Sequence, residues 1–472
     1  MEWFGTFSQE RGELSSFLTI EDLRLSPLGN SERFVEQHEA KTRFDWASKT
    51  WFAFDGYCWK PDESQIQRWA IETAKSITEE AREATGDAAR EILKHAGKSR
   101  SEYAIKQMIR LATSDERILV QEKDFDANPW LLNIRNGTLD LKTGVLHPHR
   151  SENMITRLID VEWDPGAECP RWESFIDTVT NGEHGLATYL RQCVGYSLTG
   201  DTRERALYFL LGSGANGKTA FLQTIAMMLG EYSASTPSDS ILYSKGDRNS
   251  NDIARLNGKR FVFTSETGMG RSLDEARIKM LTGGDTVTAR FLFNEFFEMT
   301  PTFKIWIATN HTPKASGSDT AMWDRIRIIP FDKRLETEEQ VPLPELMREF
   351  EAELSGILAW AVRGCQEWIQ DGIQTPEQVI NTTKEYREEM NSFAQFFAEH
   401  CWLDPDGSVQ SSQLKRKYDE WGKETGTPVV SYREIKRYLL EQGVQEAKNS
   451  VKFYKGLRVG YPDRPANPYC PL

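Results

Sequence analysis

A chain of 472 residues with 39% hydrophobic and 27% charged side chains has a globular composition and enough length for roughly three domains. Its net charge of -13 argues against a protein that coats nucleic acid nonspecifically, but a local basic channel stays open because binding follows the field at the site. The six cysteines form no CxxC pair or close Cys/His cluster, no apolar run could span a bilayer, and residues 1–11 lack a signal-peptide pattern, so a soluble cytoplasmic protein without zinc or disulfides is expected.

Residues 1–30 mix Ser, Glu, Gly and Pro and read as a loosely structured lead-in. From 33 to 59 the aromatics Phe34, Phe44, Trp46, Trp51, Phe52, Phe54, Tyr57 and Trp59 crowd around a tight turn at Asp55-Gly56. Such rings either stack on bases or form the core of a small sheet. Helical spacing follows over 65–95, where the residues become charged, and again over 102–112. Residues 129–149 alternate apolar and polar around Asn136-Gly137 and Thr143-Gly144, which predicts antiparallel strands closed by hairpin turns. Further helices are expected at 171–180 and 184–197, with no internal repeat anywhere.

Over 207–222, LYFLLGSGANGKTAFL, an apolar run breaks into a glycine loop and resumes with Phe221, Leu222, Ile225, Met228 and Leu229 at helical spacing. This is strand, loop, helix. Backbone N–H groups wrap a phosphate closely only where side chains are small, hence Gly212, Gly214 and Gly217, and the helix points its positive end at the same place. Lys218 supplies a point charge for the outer phosphates and the Thr219 hydroxyl is placed to ligate Mg²⁺, so the chain is expected to bind a nucleoside triphosphate. A short strand, 260–264, ends in Ser265-Glu266, where a carboxylate can polarise an attacking water and help hold Mg²⁺. A second, 304–309, ends at Asn310, whose amide can orient that water and sense the outer phosphate. Arg325 and Arg327 precede and enter another strand-like run, and read either as fingers for a neighbouring subunit's nucleotide or as surface salt-bridge partners.

Beyond 331 the chain is helical and amphipathic, with a linker near 371–376. The segment 391–460 reads as a winged helix: helices at 411–421 and 432–441, the second opened by a Ser431/Glu434 capping box, then a basic hairpin over 451–459. Arg433, Lys436 and Arg437 face outward from the second helix, as a DNA-reading surface or as a solvated basic face.

The series GSGANGKT, FVFTSET, LTGGDTVTARFLFNEFFEMTPTFKIWIATNHTP and MWDRIRIIPF resembles superfamily 3 helicases, specifically the helicase part of the phage and plasmid primase-helicase family, which is also similar to the poxvirus primase-helicase. The upstream region, including NPWLLNIRNGTLDLKTG, resembles the accessory region ahead of that core. The resemblance implies an α/β fold class, with a P-loop AAA+-like superfamily 3 helicase core over 201–335 and an α+β collar-like accessory region over 31–200, to which the residue pattern adds a helical segment over 336–390 and a winged-helix domain over 391–472. It implies ATP and Mg²⁺ as cofactors, a homo-hexameric ring, and movement on single-stranded and forked DNA, with origin duplex DNA as a further partner. Carried over by position, the nucleotide cradle is Gly212, Gly214, Ala215, Asn216, Gly217, Lys218, Thr219 and Ala220. The catalytic set is Lys218, Glu266, Asn310 and Arg325, with Arg327 as a competing finger, and the metal would lean on Thr219 and Glu266. Arg290, Phe293, Asn294 and Lys304 flank or form a pore hairpin for DNA, joined by Arg433, Lys436 and Arg437 at the C-terminal end.

Three departures stand out. Ser265 replaces the Asp found in many P-loop enzymes, and Phe291 and Asn294 stand where a basic residue is expected, so the hairpin grip would be aromatic rather than ionic. About two hundred residues precede the loop and show no cluster of acidic metal ligands, so a helicase relying on a separate primase or polymerase is expected. Three functions fit: a replicative helicase of a phage, plasmid or other mobile element, an ATP-switched origin-binding module, and a motor on another polymer such as RNA. The hairpin segment ahead of Asn310 favours the first.

Overall fold

A computed structural model describes residues 24–243, 251–265, 271–291, 296–315, 320–334, 340–426, 429–448 and 451–460. The chain divides into two units, the first ending at Trp163 and the second beginning at Asp164.

In the first unit, α1 (Pro27–His38) starts inside the stretch expected to be unstructured. The Ser26 hydroxyl accepts from the Gly29 amide at 3.1 Å and Pro27 opens the helix, a local start signal hidden in a loop-like composition. Strands β1 (Thr42–Asp45), β2 (Thr50–Phe54), β3 (Trp59–Pro61) and β4 (Leu119–Val120) form one sheet in the order β3-β2-β1-β4. Helix α2 (Glu63–Glu83) breaks at Gly86, φ +65°, from α3 (Gly86–Ser99), and α4 (Glu102–Ala112) follows, capped by Ser101. The aromatics divide: Phe34, Phe44, Trp51 and Trp59 are core, while Trp46 and Tyr57 stay about half exposed. Strands β5 (Leu131–Ile134), β6 (Gly137–Asp140) and β7 (Val145–His147) make the expected antiparallel sheet, with Arg135 and Asn136 forming the first turn.

The second unit is built on a parallel sheet. Helices α5 (Pro170–Val179) and α6 (His184–Leu198) lead into β8 (Leu207–Leu211) and α7 (Lys218–Leu229). There follow β9 (Ser233–Ser235), the short α8 (Asn251–Ala254), β10 (Phe261–Ser265) and α9 (Glu275–Thr282). Next are β11 (Val287–Ala289), β12 (Phe297–Met299), β13 (Lys304–Thr309), α10 (Thr320–Trp323) and β14 (Ile326–Pro330). The sheet order is β14-β8-β13-β10-β9, parallel throughout, while β11 and β12 pair separately as an antiparallel ribbon. Parallel strands covered on both faces must be apolar along their length, and β13 is buried at all of its positions. On one face Phe209, Ile305, Ile307 and Ile328 pack together. On the other, Tyr208 stacks on Trp306 at 4.4 Å and Phe221 on Trp172 at 5.7 Å.

Helices α11 (Leu343–Ala352), α12 (Leu354–Asp371) and α13 (Glu377–Glu389) follow, with the expected linker between the last two. The C-terminal part comprises α14 (Ser392–His400), β15 (Cys401–Gln410), α15 (Ser411–Thr425), α16 (Tyr432–Glu441), β16 (Gln445–Lys448) and β17 (Lys452–Val459). Its sheet is antiparallel in the order β15-β17-β16, and Phe393, Tyr418, Ile435 and Leu439 share its core. The Ser431/Glu434 capping box is formed.

Backbone approach joins α6 to α12. A Cβ at Gly195 would lie 2.1 Å from the Cys365 nitrogen, and one at Gly364 would lie 2.1 Å from the Arg191 carbonyl oxygen. Only glycine permits this crossing. Gly364→Ala is therefore expected to destabilise the second unit by about 2 kcal/mol or more in denaturant unfolding, whereas Gly97→Ala, in α3 with open space around its Cβ site, leaves stability equal or higher by about 0.5 kcal/mol.

Candidate nucleotide site and basic surfaces

The loop 212–217 sits where β8 ends and α7 begins, at the carboxyl edge of the sheet, the place where open α/β sheets take ligands. Its shape is dictated by close backbone approach. A Cβ at Gly212 would stand 2.0 Å from the Asn216 amide nitrogen and 2.3 Å from the Phe331 carbonyl oxygen. Gly217 has φ +82°, and a Cβ there would meet Val179 and Phe175, so α5 braces the back of the loop. Gly214 has φ +105° and Ala215 φ +50°, a left-handed turn that costs a non-glycine residue about 1 kcal/mol.

Lys218 is buried to 6% exposure, and its ammonium donates to the Gly212 carbonyl at 2.8 Å and the Asn216 Oδ1 at 2.7 Å. Burial lowers its pKa to about 8. The Asn216 amide donates onward to the Phe331 carbonyl at 2.8 Å, tying loop and lysine to the residue after β14. Thr219 is exposed on the first turn of α7, while Ala220 turns its methyl into the core. The site thus offers a glycine cradle, a desolvated cation and the amino end of α7, which together fit an anion such as a phosphate group.

Around it, β13 pairs with β8 so that Thr309 faces Leu211, and the Gly212 amide donates to the Thr309 carbonyl at 3.3 Å. The exposed Asn310 therefore follows directly beside the loop. Strand β10 runs alongside β13 and ends at Ser265, and Glu266, expected as the catalytic carboxylate, lies outside the described residues. Arg325 and Arg327 are at the other edge. The Arg325 carbonyl accepts from Leu207 at the start of β8, and Arg327 pairs with Tyr208, so about 13–16 Å of strand separates them from the loop. The Arg325 guanidinium, half-buried, donates to the Thr282 hydroxyl at 3.0 Å and to the Ala321 carbonyl; burial, then the neighbouring Arg205, hold its pKa below the usual value.

The residues expected to meet DNA separate. The β11/β12 ribbon is present, Phe291 and Phe297 stack at 5.5 Å, and the Arg290 guanidinium lies 4.6 Å from the Phe296 ring centre, while Phe293 and Asn294 lie outside the described residues. Lys304 corrects the reading. It is 2% exposed, its ammonium donates to the Thr199 and Asp201 carbonyls and sits 4.5 Å from the Tyr196 ring centre, and burial pushes its pKa well down. It is a buried structural donor and does not reach a DNA phosphate. On α16, Arg433 is exposed, Lys436 pairs with Glu446, and Arg437 donates to the Thr320 hydroxyl at 2.9 Å. The links from Asn216 to Phe331 and from Gly217 to α5 were not foreseen from sequence, because both partners are distant in the chain and carry no local signal.

Residues 31–181 match the family model described as D5 N terminal like, and residues 210–325 match a family of unknown function, DUF5906. The chain is 25% identical over 301 residues to "Putative helicase L207/L206" of Acanthamoeba polyphaga mimivirus, covering 59% of this chain and 31% of the relative. It is 25% identical over 303 residues to "Putative helicase 022R" of Frog virus 3, covering 60% and 30%, and 23% identical over 372 residues to "Putative primase C962R" of African swine fever virus, covering 71% and 38%. It thus spans about a third of the length of these curated relatives. Among solved structures, the apo C-terminal region of NrS-1 aligns at 12% identity with a TM-score of 0.48, covering 92% of this chain and 100% of that one. Over these segments the chain is similar to D5-like primase-helicase proteins.

Removing the Lys304 ammonium leaves the Thr199 and Asp201 carbonyls without their buried donor. Lys304→Ala is expected to destabilise the second unit by about 2–4 kcal/mol in denaturant titration, while Arg290→Ala, at an exposed position, changes stability by less than about 0.5 kcal/mol.

Proposed function

We propose that this chain is an ATP-dependent DNA helicase of the superfamily 3 type, with a P-loop AAA+-like core and a C-terminal winged helix, acting in the replication of a virus, phage or other mobile element. The observation that carries this reading is the buried Lys218 in a glycine loop at the end of β8, with β13 and Asn310 lying between that loop and β10. The helicase and primase names of the viral relatives support it. In this reading the amides of 212–217 and the Lys218 ammonium hold the phosphates of ATP, and the Thr219 hydroxyl with the Glu266 carboxylate would hold Mg²⁺. When bound, Mg²⁺ supplies charge neutralisation at the phosphates. Glu266 takes up the proton of the attacking water and Asn310 orients that water.

Arg325 lies at the far edge of the sheet from its own loop, so as a finger it would serve a neighbouring chain, in keeping with a homo-hexameric ring. The β11/β12 ribbon would project into the pore, where single-stranded DNA is gripped by aromatic rings and Arg290. A separate primase or polymerase would work beside it in the host cytoplasm; among the described residues no helix is long and apolar enough to cross a membrane.

The test is strand separation on forked DNA with 3′ or 5′ tails. Wild-type protein with ATP is expected to unwind one polarity of fork, and Lys218→Ala is expected to lose at least about a hundredfold of both hydrolysis and unwinding. DNA-stimulated hydrolysis without unwinding would favour an origin-binding switch instead, and an equal or greater response to RNA would favour a motor on that polymer.

The lowered pKa of Lys218 adds a linkage with a definite sign. With a free-state value of about 8, the lysine is half protonated near pH 8, and phosphates raise its pKa by stabilising the charged form. ATP binding should then take up roughly half a proton at pH 8, and affinity should fall as pH rises above that value. Calorimetry in two buffers of different ionisation enthalpy measures the uptake; binding without it would remove the ammonium from phosphate recognition.

A further inference from the structure

Helix α16 presents two different sides. Arg437 turns toward the core, donating to Thr320 and lining a small hollow with Lys384 and Arg387 of α13. Arg433 and Lys436 instead line a separate hollow of about 650 Å³ whose walls include Ser411, Ser412, Glu446 and Lys452.

The charge in that second hollow is unbalanced. Lys436 donates to the Glu446 carboxylate, and Lys452 reaches the same carboxylate at 4.0 Å. Lys448 stands directly opposite Lys452 across the β16/β17 hairpin, a like-charge pair that weakens a hairpin in water. Arg433 is exposed and has no hydrogen-bond or ion-pair partner among the described residues. Three cations, Arg433, Lys436 and Lys452, therefore line the hollow with one carboxylate, and Lys448 adds a fourth charge beside it, in a chain whose net charge is -13. The hollow also takes in the start of α15, which no side chain among the described residues caps, so its first-turn amides and the Ser412 hydroxyl are donors for the same anion. Tyr432, half exposed, and Val451, 39% exposed, form an amphipathic rim.

We propose that this hollow seats the phosphodiester backbone of double-stranded DNA. The proposal rests on the reading of the chain as a DNA-acting motor and narrows it, because Arg433, Lys436, Lys448 and Lys452 make the contact and Arg437 does not. The cations spread over one helix and two strands along an open edge, which suits a row of phosphates rather than a single small anion. Arg437 instead holds α16 against the helix that leads into Arg325.

Duplex affinity of the full chain, read by fluorescence anisotropy across a salt series, tests this. Arg433→Glu with Lys452→Glu should lose at least about tenfold in affinity and reduce the salt slope by about two, with unchanged thermal midpoint because both side chains are exposed. The milder pair Arg433→Gln and Lys452→Gln should move both quantities in the same direction, and Arg437→Glu should stay within about threefold of wild type. The proposal is overturned if charge reversal leaves duplex affinity and salt slope at wild-type values, if Arg437→Glu is equally damaging, or if the loss is confined to inorganic pyrophosphate. Should wild-type hydrolysis still respond to single-stranded DNA in those cases, the hollow alone is misassigned. A wild type that neither binds DNA nor hydrolyses ATP faster with it would overturn the helicase reading as well.

Discussion

An ammonium group held out of water by a loop of backbone is the constraint on which the second unit depends. Lys218 reaches that position because Gly212 allows Asn216 and Phe331 to close over it and because Gly217 lets α5 pack behind. Among the described residues its ammonium donates to the Gly212 carbonyl and the Asn216 amide oxygen, two neutral acceptors, and burial lowers its pKa to about 8. The rigidity of the site comes from the sheet beneath, whose central strands are covered on both faces.

The same sheet separates two roles by direction. Strands β8, β13 and β14 run parallel, so whatever follows them, the glycine loop and Asn310, gathers at one edge. Whatever precedes them gathers at the other, where Lys304 and Arg325 lie. These two side chains then diverge. Lys304 is swallowed by carbonyls from the turn after α6, while Arg325 keeps a half-exposed guanidinium on the Thr282 hydroxyl. The glycine loop and the Arg325 guanidinium thus lie on opposite edges of the sheet, as the proposed head-to-tail assembly requires, with one chain's arginine edge meeting the next chain's loop.

Much of this was legible in the sequence where the signal is local. The apolar run, glycines and helical spacing of 207–222 specify strand, loop and helix without outside help. Helices α4 and α16 match their expected bounds because Ser101 caps the first and the Ser431/Glu434 box caps the second. What escaped was set by distant partners. A lysine opening a strand reads as a surface cation, and only carbonyls about a hundred residues earlier make Lys304 a core residue. Arg433 and Arg437 look equivalent on one outward face until Thr320 claims the second. The aromatic crowding over 33–59 fits base stacking or, more often, the core of a small sheet, and burial of Phe34, Phe44, Trp51 and Trp59 decides for the core at those positions.

In the proposed ring, the glycine loop of one chain is completed by the arginine edge of another. Per-chain ATP hydrolysis measured against protein concentration, alongside the mass of the assembly by light scattering, addresses it most directly. The rate per chain is expected to rise with assembly and to level off once rings have formed. A rate per chain that is the same for the isolated monomer and for the assembled protein would contradict it.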